Sequence, residues 1–409
     1  MIRLTCVVLA VCCISGSQGI AAGKAPTHSQ VREVPVPSKE GRSLQTLTQT
    51  SEGRIAALIA LPRYGAARGS RGGQPTSEVW MLDADGSEVA RHSIGFHAQA
   101  IGAGPDGSVF VGGNGRLARI DSQGQLTAEI ELPHLAEITK NTEELRKRAE
   151  EQIESQKESY AEIQQSYEKQ LVSLGKRIED LQEIDEEKRT TAQRRRLKRY
   201  EEELSQLRES IDQFRTPSVE EAIQEIISRM RMINSVAVTQ RDLFIVCGMS
   251  KGYGYSVWRM DHQFQEAREV MSGLGGCCGQ MDVQAHGDHL FVAENTKHRV
   301  GQYDRDGNPV QTFGQRAEKK AEDGFGGCCN PMNLRIGTDG SIYTAESEGI
   351  IRKFNATGEF VDLVGKTKLE HGCKHVAVAV SEDGDRVFFC DQPGSRIVIF
   401  AREKSSETE

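Results

Sequence analysis

Two cysteine doublets stand at matching places in successive repeats: Cys277-Cys278 in Gly-Gly-Cys-Cys-Gly and Cys328-Cys329 in Gly-Gly-Cys-Cys-Asn. A third repeat carries Cys373 at the equivalent point, flanked by His371 and His375. Packing alone rarely calls for adjacent thiols. Thiolates gathered from neighbouring repeats are the donor set of a soft metal such as Cu(I) or Zn(II), with the imidazoles to ligate or to orient a ligand. Gly275-Gly276 and Gly326-Gly327 allow the tight backbone turn that lets both sulfurs of a doublet point one way. Cys247 and Cys390 end apolar runs at 244–246 and 387–389 and supplement the set. Structural disulfides are the competing chemistry, either vicinal or between adjacent repeats, and inert or redox-active thiols are a third. No Cys-X-X-Cys-His occurs, which argues against covalent c-type haem. An iron–sulfur cluster has enough thiols but is normally inserted before export, against the leader described below.

Other residues offer less. Glu294, Glu346 and Asp391 follow aliphatic strands in three consecutive repeats and read as a carboxylate rim or as turn caps. His97 reads as a surface histidine or a further ligand, and His286, His289 and His298 as hairpin residues.

The elements that must position these groups are short hairpins. Val300-Gly301-Gln302-Tyr303-Asp304-Arg305-Asp306-Gly307 and Ile351-Arg352-Lys353-Phe354-Asn355-Ala356-Thr357-Gly358 are two of six β-rich runs, most ending in an Asp/Asn and Gly turn. Another hairpin precedes each, as at Asp106-Gly107, Asp339-Gly340 and Asp383-Gly384. Six units of four short strands, spaced at roughly 35–50 residues, predict a six-bladed all-β propeller. Residues 281–314 and 331–365, with "LFVAEN" and "IYTAES" strands and "DRDGNPVQTFG" and "NATGEFVDLVG" closings, resemble the NHL-repeat family. That resemblance implies the fold and leaves activity open, because such propellers serve as enzymes and as binding platforms.

The last repeat has only three strands, and the alternating run Val31-Arg32-Glu33-Val34-Pro35-Val36 is the expected outer strand that closes the ring, with Pro35 suited to an edge. Strand direction alternates within a blade, so the loops between blades share one face with the end of each second strand. The doublets and Cys373 lie in such loops, and Cys247 and Cys390 at such ends. This topology sends all seven cysteines beyond residue 22 to one face, most of them at its central mouth.

Residues 134–232 break the pattern. Glycine and proline nearly vanish, and Leu197, Leu204 and Ile211 recur at intervals of seven, as do Tyr200, Leu207 and Phe214. An antiparallel coiled-coil hairpin is predicted, with one helix over about 142–184, roughly 65 Å long, and a return over 190–214 and 218–232. Thr142 and Ser218 are the expected caps. The arm is a candidate surface for a protein partner or for self-association.

Residues 1–22 carry Arg3, an apolar stretch and small residues, and read as a signal peptide cut near 19–22, too short for a membrane span. The protein is then exported, to the periplasm or the extracellular space. The expected layout is 1–22 leader, 23–133 closing strand and two blades, 134–232 coiled coil, 233–401 four blades, and 402–409 disordered tail. A net charge of −8 over 409 residues offers no basis for nucleic-acid binding. Three functions fit: thiophilic-metal binding for redox or metal handling, a disulfide-stiffened scaffold recruiting through its arm, and a metal-dependent lyase or hydrolase, for which no nucleophile–base pair is seen.

Overall fold

The computed structural model describes residues 25–62, 77–213, 216–249, 252–317, 324–369 and 375–403. The leader read at 1–22, His371, Cys373 and residues 404–409 of the expected tail lie outside the described residues. The chain divides into a helical unit, Ile138–Ile227, and a β unit formed by the segments on either side of it.

The β unit has a β-propeller architecture; among the described residues it holds six four-stranded antiparallel sheets and a two-stranded parallel pair, Gln315–Arg316 with Gly324–Phe325. The first sheet holds Ser43–Gln49, Ile55–Ala60, Ser77–Leu82 and Glu88–Ile94, and the second Ala100–Ala103, Val109–Gly113, Arg116–Ile120 and Leu126–Glu131. After the helical unit come Ile233–Val238, Leu243–Gly248, Tyr255–Met260 and Arg268–Leu274, then Val283–His286, His289–Glu294, Arg299–Asp304 and Pro309–Phe313. The fifth sheet is Asn333–Ile336, Ile342–Ala345, Ile350–Phe354 and Phe360–Lys366. Val376–Val380, Arg386–Asp391 and Arg396–Arg402 form the sixth, and His28–Pro35 pairs antiparallel with the last of these as its fourth strand. The first strands neighbour one another in sequence order, and that of the sixth sheet lies against that of the first. They surround a narrow polar channel of about 40 Å³.

The turns explain the recurring Asp/Asn–Gly pattern. Asp304 Oδ1 accepts from the N–H groups of Asp306 and Asn308, both at 2.9 Å, and Asn355 repeats this with Thr357 and Glu359. Gly307 sits at φ +86°, where a Cβ would strike the Val270 carbonyl of the preceding sheet, so conformation and space both require glycine.

Between sheets the core is aliphatic and aromatic. Met332, Tyr343, Val364, Val376, Phe389 and Phe400 fill the seam of the fifth and sixth sheets, each contributing about 1.5–3 kcal/mol by burial. Along the channel, polar side chains tie first strands together. Asp282 accepts from the Ser235 hydroxyl at 2.8 Å and the Leu334 N–H at 2.9 Å, linking the fourth sheet to both neighbours. Asn333 Oδ1 takes the Val378 N–H at 2.8 Å, and the Gln280 amide donates to the Val376 carbonyl at 2.9 Å.

Helix α1 spans Pro133–Lys140, α2 Thr142–Gln182, α3 Thr191–Gln213 and α4 Val219–Arg231. In the helical unit α2 packs along α3, and Leu174, Ile178 and Tyr160 of α2 are buried. Ser218 caps α4 in a reciprocal box with Glu221, as its spacing indicates. The cap of α2 is Asn141, whose Oδ1 accepts the Glu144 N–H at 3.1 Å, and not Thr142, which is the first helical residue. The early helix α1 has no counterpart in the heptad pattern. No helix among the described residues is long and apolar enough to cross a membrane.

His134 of α1 is fully buried, stacked on Trp258 with ring centroids 4.9 Å apart. Burial lowers its pKa from 6.5 to about 4. The unfolded chain therefore binds a proton below pH 6.5 that the fold refuses. The stabilisation is complete above pH 6.5 and is lost as pH falls toward 4, a change of about 3 kcal/mol. Urea unfolding of wild type and His134→Phe at pH 7 and pH 4 checks this: the wild type loses more stability than the variant by about that amount.

Candidate functional site

The two doublet loops meet. Cys277 Sγ lies 3.6 Å from Cys278 Sγ, which lies 3.4 Å from Cys329 Sγ, which lies 3.1 Å from Cys328 Sγ. The ligand atoms of Cys277, Cys278 and Cys329 fall within 4.8 Å of one another. All these separations exceed the S–S bond length of about 2.05 Å, so the structure holds thiols here. Cys329 is completely buried, Cys277 and Cys278 are half-buried, and Cys328 is exposed. The group therefore runs from solvent into the seam of the fifth and sixth sheets: Cys329 belongs to the same apolar cluster as Met332 and Tyr343, and Cys277, Cys278 and Leu369 pack against that cluster.

Local backbone chemistry places the sulfurs. Cys278 adopts a left-handed conformation at φ +55°. Gly276 has no room for a side chain, since a Cβ would lie 2.5 Å from the Tyr255 ring. Each loop is clamped by a fully buried asparagine. Asn295 accepts the Cys277 N–H at 2.9 Å and donates to the Gln280 carbonyl at 3.0 Å. Asn330 donates to the Gly326 carbonyl at 2.8 Å and accepts the Ser347 N–H at 2.9 Å. The sequence reading missed both. Their signal was available: each asparagine adjoins a motif already singled out, Glu294 or Cys329.

Electrostatics favour the protonated form of Cys277 in the absence of a cation. Burial first, then the hydrogen bond and charge of Cys278, push the Cys277 thiol up to about 11. A reactive redox thiol needs the opposite shift. A soft cation reverses the logic by displacing the proton.

The remaining candidates divide. Cys247 and Cys390 do end second strands, but both are fully buried and outside the thiol group. Cys390 packs with Leu44, Leu47 and Phe388 in the seam of the sixth and first sheets, and burial pushes both thiols far upward. His375 lines the channel beside Gln280 and Val376. His97 bonds the Leu61 carbonyl at 2.9 Å. The carboxylates form ion pairs within their own sheets: Glu294 with Arg299 and Lys297, Glu346 with Arg352, and Asp391 with Arg396. They act as turn anchors.

The asparagine clamps yield an expected result. Asn295→Ala frees the Cys277 N–H and the loop, and, if the thiol group holds a metal, is expected to lower its affinity about 10- to 100-fold. Competition with a chromophoric chelator measures it, with circular dichroism confirming the fold.

No family model matches the chain, and no curated protein matches it. Solved structures similar to it include a protein of unknown function from Bacteroides thetaiotaomicron, at TM-score 0.48 and 11% identity over 90% of this chain and 72% of that one. The Neurospora crassa Pan2 WD40 domain is similar at TM-score 0.43 and 10% identity, over 94% of this chain and 99% of that one. The Cps50 (Swd1) β-propeller domain of Myceliophteria thermophila follows at TM-score 0.39 and 10% identity, over 91% and 99%. At these values the likeness says nothing of activity, and the fold rests on strand pairing.

Proposed function

We propose that this chain is an exported, NHL-type six-bladed propeller that binds a thiophilic metal, Cu(I) or Zn(II), through Cys277, Cys278 and Cys329. Its role is redox or metal handling. The six sheets and the circuit of their first strands support the blade count. The observation that carries the metal reading is the convergence of three sulfurs from two loops that lie 51 residues apart in sequence at Cys278 and Cys329. Sulfurs 3.4 and 3.6 Å apart lie inside the roughly 3.8 Å spacing of a tetrahedral centre with bonds of about 2.3 Å, so one cation can reach both pairs. Cys328, exposed beside Cys329, is the ligand through which metal arrives or leaves by exchange. Cys373 and His371, outside the described residues, belong to the same proposal on sequence grounds alone.

Chelator competition on the reduced full chain tests it. One equivalent of Zn(II) or Cu(I) binds, shields at least three thiols from a thiol reagent, and binds more tightly as pH rises, because bound thiols lose protons. Failure to shield thiols would remove the reading. A second reading is a scaffold that recruits a partner or a second copy through its helical arm, favoured by Val172 of α2, which is 73% exposed. An arm-deleted chain, residues 138–227 replaced by a short linker, separates the two: metal binding persists while any partner capture is lost.

A further inference from the structure

We infer that the three-sulfur group is suited to a trivalent thiophilic metalloid presented as its neutral hydroxide, arsenite or antimonite, which it takes as a pyramidal three-thiolate complex. This rests on the metal-binding reading above and narrows its ligand class.

Three observations carry it. The first is geometry. A central atom about 2.3 Å from each sulfur views pairs 3.4 and 3.6 Å apart under angles of roughly 95° and 103°. Both are tighter than the roughly 109° of a tetrahedron, and far tighter than the trigonal-planar angle that three-coordinate Cu(I) adopts. Angles near a right angle belong to a centre with a lone pair opposite its three ligands.

The second is donor composition. Among the described residues the group contains three cysteines and neither histidine nor carboxylate. The third is charge. Three thiolates leave one negative charge around Zn(II), two around Cu(I), and none around a trivalent centre. Cys329 is fully buried, and Met332, Tyr343, Ala345 and Val376 belong to the same apolar seam. A neutral complex enters such surroundings without the cost of burying net charge.

The reaction is ligand exchange without oxidation or reduction. Each metalloid–oxygen bond breaks as a metalloid–sulfur bond forms, and each thiol proton leaves on the departing hydroxide. Three thiols and one trihydroxide give one trithiolate and three waters. The metalloid stays trivalent, and no net proton is released.

The test titrates the reduced, metal-free full chain with arsenite alone from pH 6 to 8, counting accessible thiols and released protons. One equivalent is expected to protect three thiols, with affinity nearly independent of pH. Zn(II) affinity over the same range rises with pH. Cys278→Ser is expected to weaken arsenite binding at least about 100-fold, and Cys390→Ala, in a different seam, to leave it unchanged. If Zn(II) or Cu(I) binds but arsenite protects two thiols or fewer, or is not weakened by Cys278→Ser, the metalloid inference is overturned and the metal reading stands. If none of the three binds, both fall.

Discussion

On the proposed metal-binding reading, replacing Cys278 and Cys329 together by serine is expected to abolish tight metal binding. A structural zinc centre in a thiolate-rich site is worth about 10–16 kcal/mol, so one sulfur among three or four accounts for about 3–4 kcal/mol. Losing both therefore weakens binding by at least about 10,000-fold. Chelator competition reads the loss directly. The fold must be followed in parallel, because Cys329 is fully buried and a serine hydroxyl there costs about 1–3 kcal/mol. Cys278→Ser alone, at a half-buried position, keeps the test readable if the double variant proves unstable. A double variant that is folded and retains wild-type affinity contradicts the assignment.

Asp282→Ala has the largest expected effect on stability. The carboxylate sits at the channel wall with 5% exposure. Burial pushes its pKa up, and three donors oppose that shift: the Leu334 N–H, the Ser235 hydroxyl and the Gln284 amide. Alanine leaves the Leu334 N–H and the Ser235 hydroxyl in the wall without this acceptor and strips the nearby Arg335 guanidinium of its counter-charge. Each buried group so exposed costs about 1–3 kcal/mol, for a total near 4 kcal/mol. Urea unfolding at neutral pH measures it. A change under about 1 kcal/mol would show that water replaces the carboxylate and that the cross-sheet link is dispensable.

The strand pattern was legible because each hairpin carries its own turn chemistry. Asp304, Asn355 and Gly307 determine local conformation whatever surrounds them, so residue type alone located the turns. The strand at Val31–Val36 was legible for a related reason: its alternation and Pro35 fit an edge, and His28–Pro35 does pair with Arg396–Arg402. The coiled-coil period exposed α2 and α3, whereas α1 is too short to show one.

Legibility of the site was uneven. The glycine-flanked doublets revealed themselves by repetition, and their convergence followed from strand direction. What strand direction could not supply was the orientation of individual side chains. Cys247 and Cys390 stand at the right strand ends, yet those strands are buried on both faces, so either pleat direction sends the sulfur into a seam between sheets. Asn295 and Asn330 escaped notice because an asparagine beside a loop is ordinary until its two hydrogen-bonding ends are seen to span that loop. The Glu294, Glu346 and Asp391 series was correctly periodic, but its period belongs to ion pairs with Arg299, Arg352 and Arg396 of the adjacent strand.

A crystal structure of the reduced full chain grown with one equivalent of Zn(II), with anomalous diffraction collected at the zinc absorption edge, is the most direct measurement. The account predicts a single strong peak about 2.3 Å from the sulfurs of Cys277, Cys278 and Cys329. Sulfurs joined in pairs at about 2.05 Å, with the anomalous peak elsewhere, would contradict it.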